Sequence, residues 1–126
     1  MGRMGVAQAA GRAGDMTMKG AAPPVDLVHL RRFTLGDADL ERELAALFRD
    51  SCTTYVGAMA VAADDRAWSE AAHGLKGAAR SIGALHLGDL AEQAEQAGLA
   101  RRPSMLASLQ AEAAAAQSWL EAALGA

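Results

Sequence analysis

Apolar residues return every three or four positions along most of this chain, the spacing of a helix with one buried face. Leu40, Leu44, Leu47, Phe48, Tyr55, Met59 and Ala62 keep that spacing. They predict a long helix from Asp37 or Ala38 to Ala62 or Ala63. Ahead of it, "VDLVHLRRF" is a shorter periodic piece, with Asp26 as N-cap and Val25 or Leu27, Leu30 and Phe33 turned inward. "TLGD" interrupts the pattern between the two. Asp64 then caps a third helix reaching about Ala84 or Leu85, with Asp65 in its first turn, where negative charge suits the helix dipole. "LGDLAEQAEQAGLA" predicts a fourth helix closed by Gly98, and "RRP" a turn. Ser104 caps a last helix from about Met105 to Leu124, with Leu106, Leu109, Ala113, Ala116, Leu120 and Leu124 inward. Gly57 lies inside the second helix at a cost of ~1 kcal/mol relative to Ala, which suggests close approach of a neighbouring helix.

Four main helices and a short leading one, joined by brief connections, predict an all-α fold. The simplest architecture is an antiparallel up-down-up-down four-helix bundle with that short leading helix. The bundle domain spans residues 25–126. Residues 1–24, "MGRMGVAQAAGRAGDMTMKGAAPP", hold no sustained period and are read as a flexible N-terminal tail, ended by Pro23-Pro24. That segment lacks the apolar core of a secretory signal. Val6 stands where a myristoylation signal wants Ser or Thr.

Composition narrows the class. The chain of 126 residues is 52% apolar, much of it alanine, and only 4% aromatic. Such a core is thin per residue and needs closely packed helices. A net charge of -3 argues against a nucleic-acid partner, which usually meets a basic excess. No apolar run approaches the ~20 residues that cross a bilayer, so no membrane partner is expected. The single cysteine, Cys52, can form no internal disulfide and fits a reducing, cytoplasmic setting. Its helical surroundings read as those of a structural thiol.

The third helix carries the chemistry. At about 100° per residue, Trp68, Ala71, Ala72, Leu75, Ala78, Ala79 and Ile82 fall in one stripe. His73, Gly77, Arg80 and Ala84 fall on the other side, with Lys76 on the flank. His73 therefore points outward, with a basic residue at i+3 and i+7 and a bare position at i+4. A neutral imidazole is a good nucleophile near neutral pH. Attack on a phosphoryl group needs clear approach, which Gly77 leaves, and nearby positive charge, which Lys76 supplies. The chain has no Walker loop, no kinase-type glycine-rich loop and no acid cluster for Mg²⁺. It is expected to need no cofactor and to handle no ATP, a partner supplying metal and the other catalytic groups.

"HGLKGAARSIGA", His73 to Ala84, resembles the motif of histidine-containing phosphotransfer (HPt) domains of two-component phosphorelays. Their pattern is H-x-L-K-G, a four-residue spacer, then an apolar residue and G-A, and every position matches. "FTLGDADLERELAALF" and "LAEQAEQA" are similar to the flanking helices of such domains. The resemblance implies a phosphocarrier rather than an enzyme. It implies reversible exchange of a phosphoryl group between a histidine and the aspartate of a response-regulator receiver domain, with a hybrid histidine kinase as a further partner. Carried onto this chain, His73 is the phospho-acceptor, Lys76 the phosphate-stabilising cation and Gly77 the clearance residue. Arg80, Gly74, Glu70 and Ala84 are expected to serve docking or steering, Gly74 also by loosening the backbone. A monomer is expected.

Two other readings stand beside this one. The bundle could bind receiver domains or other helical partners without carrying phosphate. It could also be the phosphoacceptor region of a histidine kinase, but the proline that commonly follows that histidine is missing here. His29 and His86 lack neighbours like those of His73, and the three histidines have no short metal-ligand spacing. Gly83 reads as a packing residue.

Overall fold

The computed structural model describes residues 22–125, and the expected tail therefore lies almost wholly outside the described residues. Five α-helices follow in order: α1 Leu27–Thr34, α2 Ala38–Ala60, α3 Asp65–Ile82, α4 Leu85–Glu95 and α5 Arg102–Leu124. A single 3-10 turn, Leu99–Arg101, separates the last two. No strand occurs among the described residues, and the all-α expectation holds. None of these helices is long and apolar enough to cross a membrane.

Each helix starts where its chemistry allows. Asp26, Asp37 and Asp64 sit in extended backbone and accept hydrogen bonds from the free N–H groups of α1, α2 and α3. The α5 start differs from expectation. The helix begins at Arg102, with Pro103 in its first turn, where the missing N–H costs nothing. The Ser104 hydroxyl donates back to the Arg101 carbonyl at 3.0 Å rather than capping. The helix α4 stops at Glu95, short of Gly98, as side chains of α3 take its last carbonyls. Trp68 Nε1 donates to Ala94 O at 2.7 Å, and Ser69 Oγ to Glu95 O at 3.3 Å. Arg102 stacks over the Trp68 ring at 5.1 Å and reaches Asp65 and the Ala97 carbonyl, so the α5 start is pinned to the same corner.

Packing follows the predicted stripes. The α3 helix lies between α2 and α4, and α5 packs against both of those. Trp68, Ala71, Ala72, Leu75, Ala79 and Ile82 of α3 are buried with Phe48, Cys52 and Met59 of α2, Leu87, Ala91 and Ala94 of α4, and Met105, Leu109, Ala113, Ala116 and Leu120 of α5. Seven of these seventeen are alanines. Small side chains let the backbones approach closely, which is how an alanine-rich core reaches native density. Burial pushes the Cys52 thiol up to about 11, so it is no nucleophile at neutral pH.

Two inward expectations fail on one side of the molecule. Phe33 is 69% and Leu47 57% exposed. The short α1 buries Leu30 and Thr34, and α2 buries Phe48, so each of these neighbours is turned about 100° away, where no further helix among the described residues covers it. Gly57 also departs from expectation. A Cβ there would meet nothing within 4 Å, so no helix among the described residues packs against it. The α1 helix is held by Glu41, a buried carboxylate that accepts from Thr34 Oγ1 at 2.7 Å and from Arg31 Nε at 3.3 Å. Its start is clamped to the end of α3, where Asp26 N donates to Gly83 O at 2.8 Å.

Candidate functional site

His73 lies midway along α3 on the face away from the core, and its side chain is 71% exposed. Lys76, one turn on, is far less free at 19% exposed. Both turn toward the same side chain. Glu95, the last residue of α4, places Oε1 2.6 Å from Lys76 Nζ and Oε2 3.4 Å from His73 Nδ1. The Trp68 and Ser69 bonds to the final carbonyls of α4 fix that helix end opposite His73. A carboxylate at a helix C-terminus faces the negative end of the dipole, and the Lys76 ammonium offsets this.

Lys76 lowers the Glu95 pKa below its ordinary value of 4.5, through its hydrogen bond first and its charge after that. Burial opposes the shift, and His73 adds to it. At neutral pH Glu95 is therefore ionised and can only accept hydrogen bonds. The ring nitrogen facing it is Nδ1, and a proton held there would be directed at the carboxylate. A proton on Nδ1 would leave Nε2, the other ring nitrogen, with its lone pair.

Around this pair the expected residues fall out differently. Gly77 is open, since an added Cβ would find nothing within 4 Å. Gly74 is covered rather than available, because the Tyr55 ring of α2 lies across it. Arg80 is not a free cation. Its NH2 group reaches Glu92 Oε1 at 2.9 Å and Asp89 Oδ1 at 3.3 Å on α4, and these bonds push its pKa up further. Glu70 is exposed and pairs with Arg66 on its own helix at 2.9 Å. Ala84 is a correction. The α3 helix ends at Ile82, and Gly83 takes a left-handed conformation with φ of 90°. The chain reverses there, and Ala84 is fully buried at the head of α4. It offers no docking surface. Gly83 is needed on two counts, its positive φ and the Asp26 carbonyl that a Cβ would meet at 2.8 Å.

Glu95 was missing from the sequence reading, although a signal for it exists. The buried stripe of α4 is Leu87, Ala91 and Ala94, and Glu95 stands four residues after Ala91 and eight after Leu87. A charge on the flank of an apolar stripe calls for a counter-charge. Lys76, on the flank of the neighbouring helix, is that charge.

Beside the site, Phe33, Leu44, Leu47, Phe48, Ala78 and Ile82 line most of an open apolar groove of about 470 Å³ between α1, α2 and α3. Ser51 and Ser81 complete it. Among the described residues no group of three or more His, Cys, Asp or Glu side chains could hold a metal ion. His86 is exposed, 3.9 Å from Glu112.

The family model described as Hpt domain matches residues 43–119, more than half of the chain. That span contains His73, Lys76, Gly77 and Glu95. No curated protein and no solved structure matches the chain.

Proposed function

The chain belongs to the Hpt domain family, whose members are phosphocarrier modules of two-component systems, and on that premise we propose that His73 is its phospho-acceptor. The observation that carries this is the exposed His73 ring, whose Nδ1 faces the Glu95 carboxylate at 3.4 Å. Nε2 attacks the phosphorus of an aspartyl phosphate on a receiver domain. The N–P bond forms as the P–O bond to the aspartate breaks, and the aspartate leaves as a carboxylate. Nδ1 keeps its proton, so the ring becomes cationic next to Glu95. The reverse step returns the phosphoryl group. Lys76 serves the phosphoryl oxygens, and Gly77 leaves room for them.

The partner is a receiver domain, and a hybrid histidine kinase is the upstream source. The open groove lined by Phe33, Leu44, Leu47 and Ala78 supports docking on the α2 side of α3, since an apolar patch ringed by charge suits such an interface. The bundle acts as a monomer in the cytoplasm. Arg80 sets the charge pattern of the α4 rim through Asp89 and Glu92 rather than steering alone.

Incubation with phosphorylated receiver domains tests the reading. His73 should gain an acid-labile, base-stable label, absent from His73→Gln. A label persisting in His73→Gln would remove the assignment. Receiver binding and biological output that both survive His73→Gln unchanged would favour a module that only binds.

A further inference from the structure

The cation expected to serve the phosphoryl group is already engaged without one. Lys76 Nζ sits 2.6 Å from Glu95 Oε1, an atom shielded from solvent. The other oxygen of that carboxylate faces Nδ1 at 3.4 Å, so Glu95 meets the His73 ring at its Nδ1 edge. A phosphoryl group on Nε2 would stand away from that edge. To reach it, the ammonium must leave Oε1, and Oε1 then loses its counter-charge while remaining buried.

We infer that Glu95 is a positioning residue that competes with the phosphoryl group for Lys76, and so sets how labile phosphorylated His73 is. This rests on His73 being the acceptor. The four-carbon stem of Lys76 lets its ammonium swing between the two anions. While Glu95 holds it, the phosphoryl group is under-neutralised and readily passed on. Without the carboxylate, Lys76 is free to pair with the phosphoryl oxygens and the phosphorylated state persists. Glutamine at this position keeps an acceptor for Nδ1–H and removes only the charge, which separates competition from ring orientation.

Phosphoramidate supplies the phosphoryl group without any protein partner, with ammonia as the leaving group, and mass spectrometry of the His73 peptide locates it. The half-life of phosphorylated His73 is then followed by ³¹P NMR in the wild type, Lys76→Met, Glu95→Gln and the double variant. Lys76→Met should shorten the half-life by about fivefold or more in the Glu95→Gln background, and by less than about twofold with Glu95 present. An equal effect in both backgrounds, or a larger one with Glu95 present, overturns the competition. If Glu95→Gln does not fold, the wild type alone decides. The NOE between Lys76 Hε and Glu95 Hγ should persist on phosphorylation, and its loss overturns the inference. No label on His73 in the wild type overturns the phosphocarrier reading and this inference together, whereas a label with equal Lys76 effects overturns only the inference.

Discussion

Tyr55 of α2 lies across Gly74 of α3, the residue next to His73, so closely that a Cβ on Gly74 would stand 2.6 Å from Cζ of the ring. The glycine fits a neighbouring side chain into the bundle. Alanine at a helix interior gains ~1 kcal/mol over glycine, but forcing a methyl into a filled site costs typically ~1–3 kcal/mol. Gly74→Ala should therefore be neutral to destabilising by up to about 2 kcal/mol, the difference of those two terms. In a Tyr55→Ala background the same change should become stabilising. Urea denaturation of the four proteins checks this, and a stabilising Gly74→Ala in the wild type would show that Tyr55 yields freely.

Gly77 gives the opposite sign one turn later. Nothing lies within 4 Å of its Cβ position, so Gly77→Ala should gain the full helix-propensity difference of ~1 kcal/mol. If its bareness serves the approach of a phosphoryl group, the more stable protein should accept phosphate more slowly, by about tenfold for ~1.4 kcal/mol of barrier. Thermal melts together with labelling rates check both halves. A stabilised protein with an unchanged labelling rate would make Gly77 a position without a clearance role.

This contrast shows what the sequence could carry. The rotation of α3 separates the Trp68–Ile82 stripe from His73 and Gly77, and both landed as expected because helical geometry is local. Gly74 and Gly57 could not be told apart from the chain alone, since their difference lies in what α2 and α3 bring opposite them. Ala84 went wrong because the left-handed Gly83 ends the helix two residues early and reverses the face. Phe33 and Leu47 carry the right period but face a side that no helix among the described residues covers. The spacing of α4 puts Glu95 on the flank of an apolar stripe, but its meeting with Lys76 needed the pairing of α3 with α4, which no spacing along one helix reveals.

Glu95 should leave its mark on stability as a function of pH. Its pKa lies below the ordinary 4.5 in the folded protein, held there mainly by Lys76. The unfolded chain therefore takes up its proton first as pH falls. The stabilisation is fully present above about pH 4.5 and is lost as pH drops through the lower, folded-state value. Glu95→Gln should be less stable than the wild type at pH 7, and the gap should close as pH falls from 4.5 through the lower, folded-state value. Urea midpoints at a series of pH values check it. A gap that stays constant over that range would mean that packing, not charge, is what glutamine disturbs.

The apolar groove separates binding from folding. Phe33 and Leu47 are mostly exposed, and Phe48, which shares the groove wall, is only 3% exposed. Truncating exposed side chains usually moves stability by no more than about 0.5 kcal/mol, whereas truncating a buried phenylalanine costs ~3–5 kcal/mol. Phe33→Ser and Leu47→Ser should melt like the wild type, and Phe48→Ala should melt far lower. If receiver domains dock here, the two serine variants should bind a receiver about tenfold more weakly, since apolar anchors carry most of an interface's affinity. Their intrinsic labelling by phosphoramidate should stay normal, because neither residue touches His73. Calorimetric titration of the receiver that labels His73, beside the phosphoramidate rate, tests the two effects separately. Normal receiver affinity in both serine variants would move the docking surface elsewhere on the bundle, with the acidic α4 rim of Asp89 and Glu92 next to be tested.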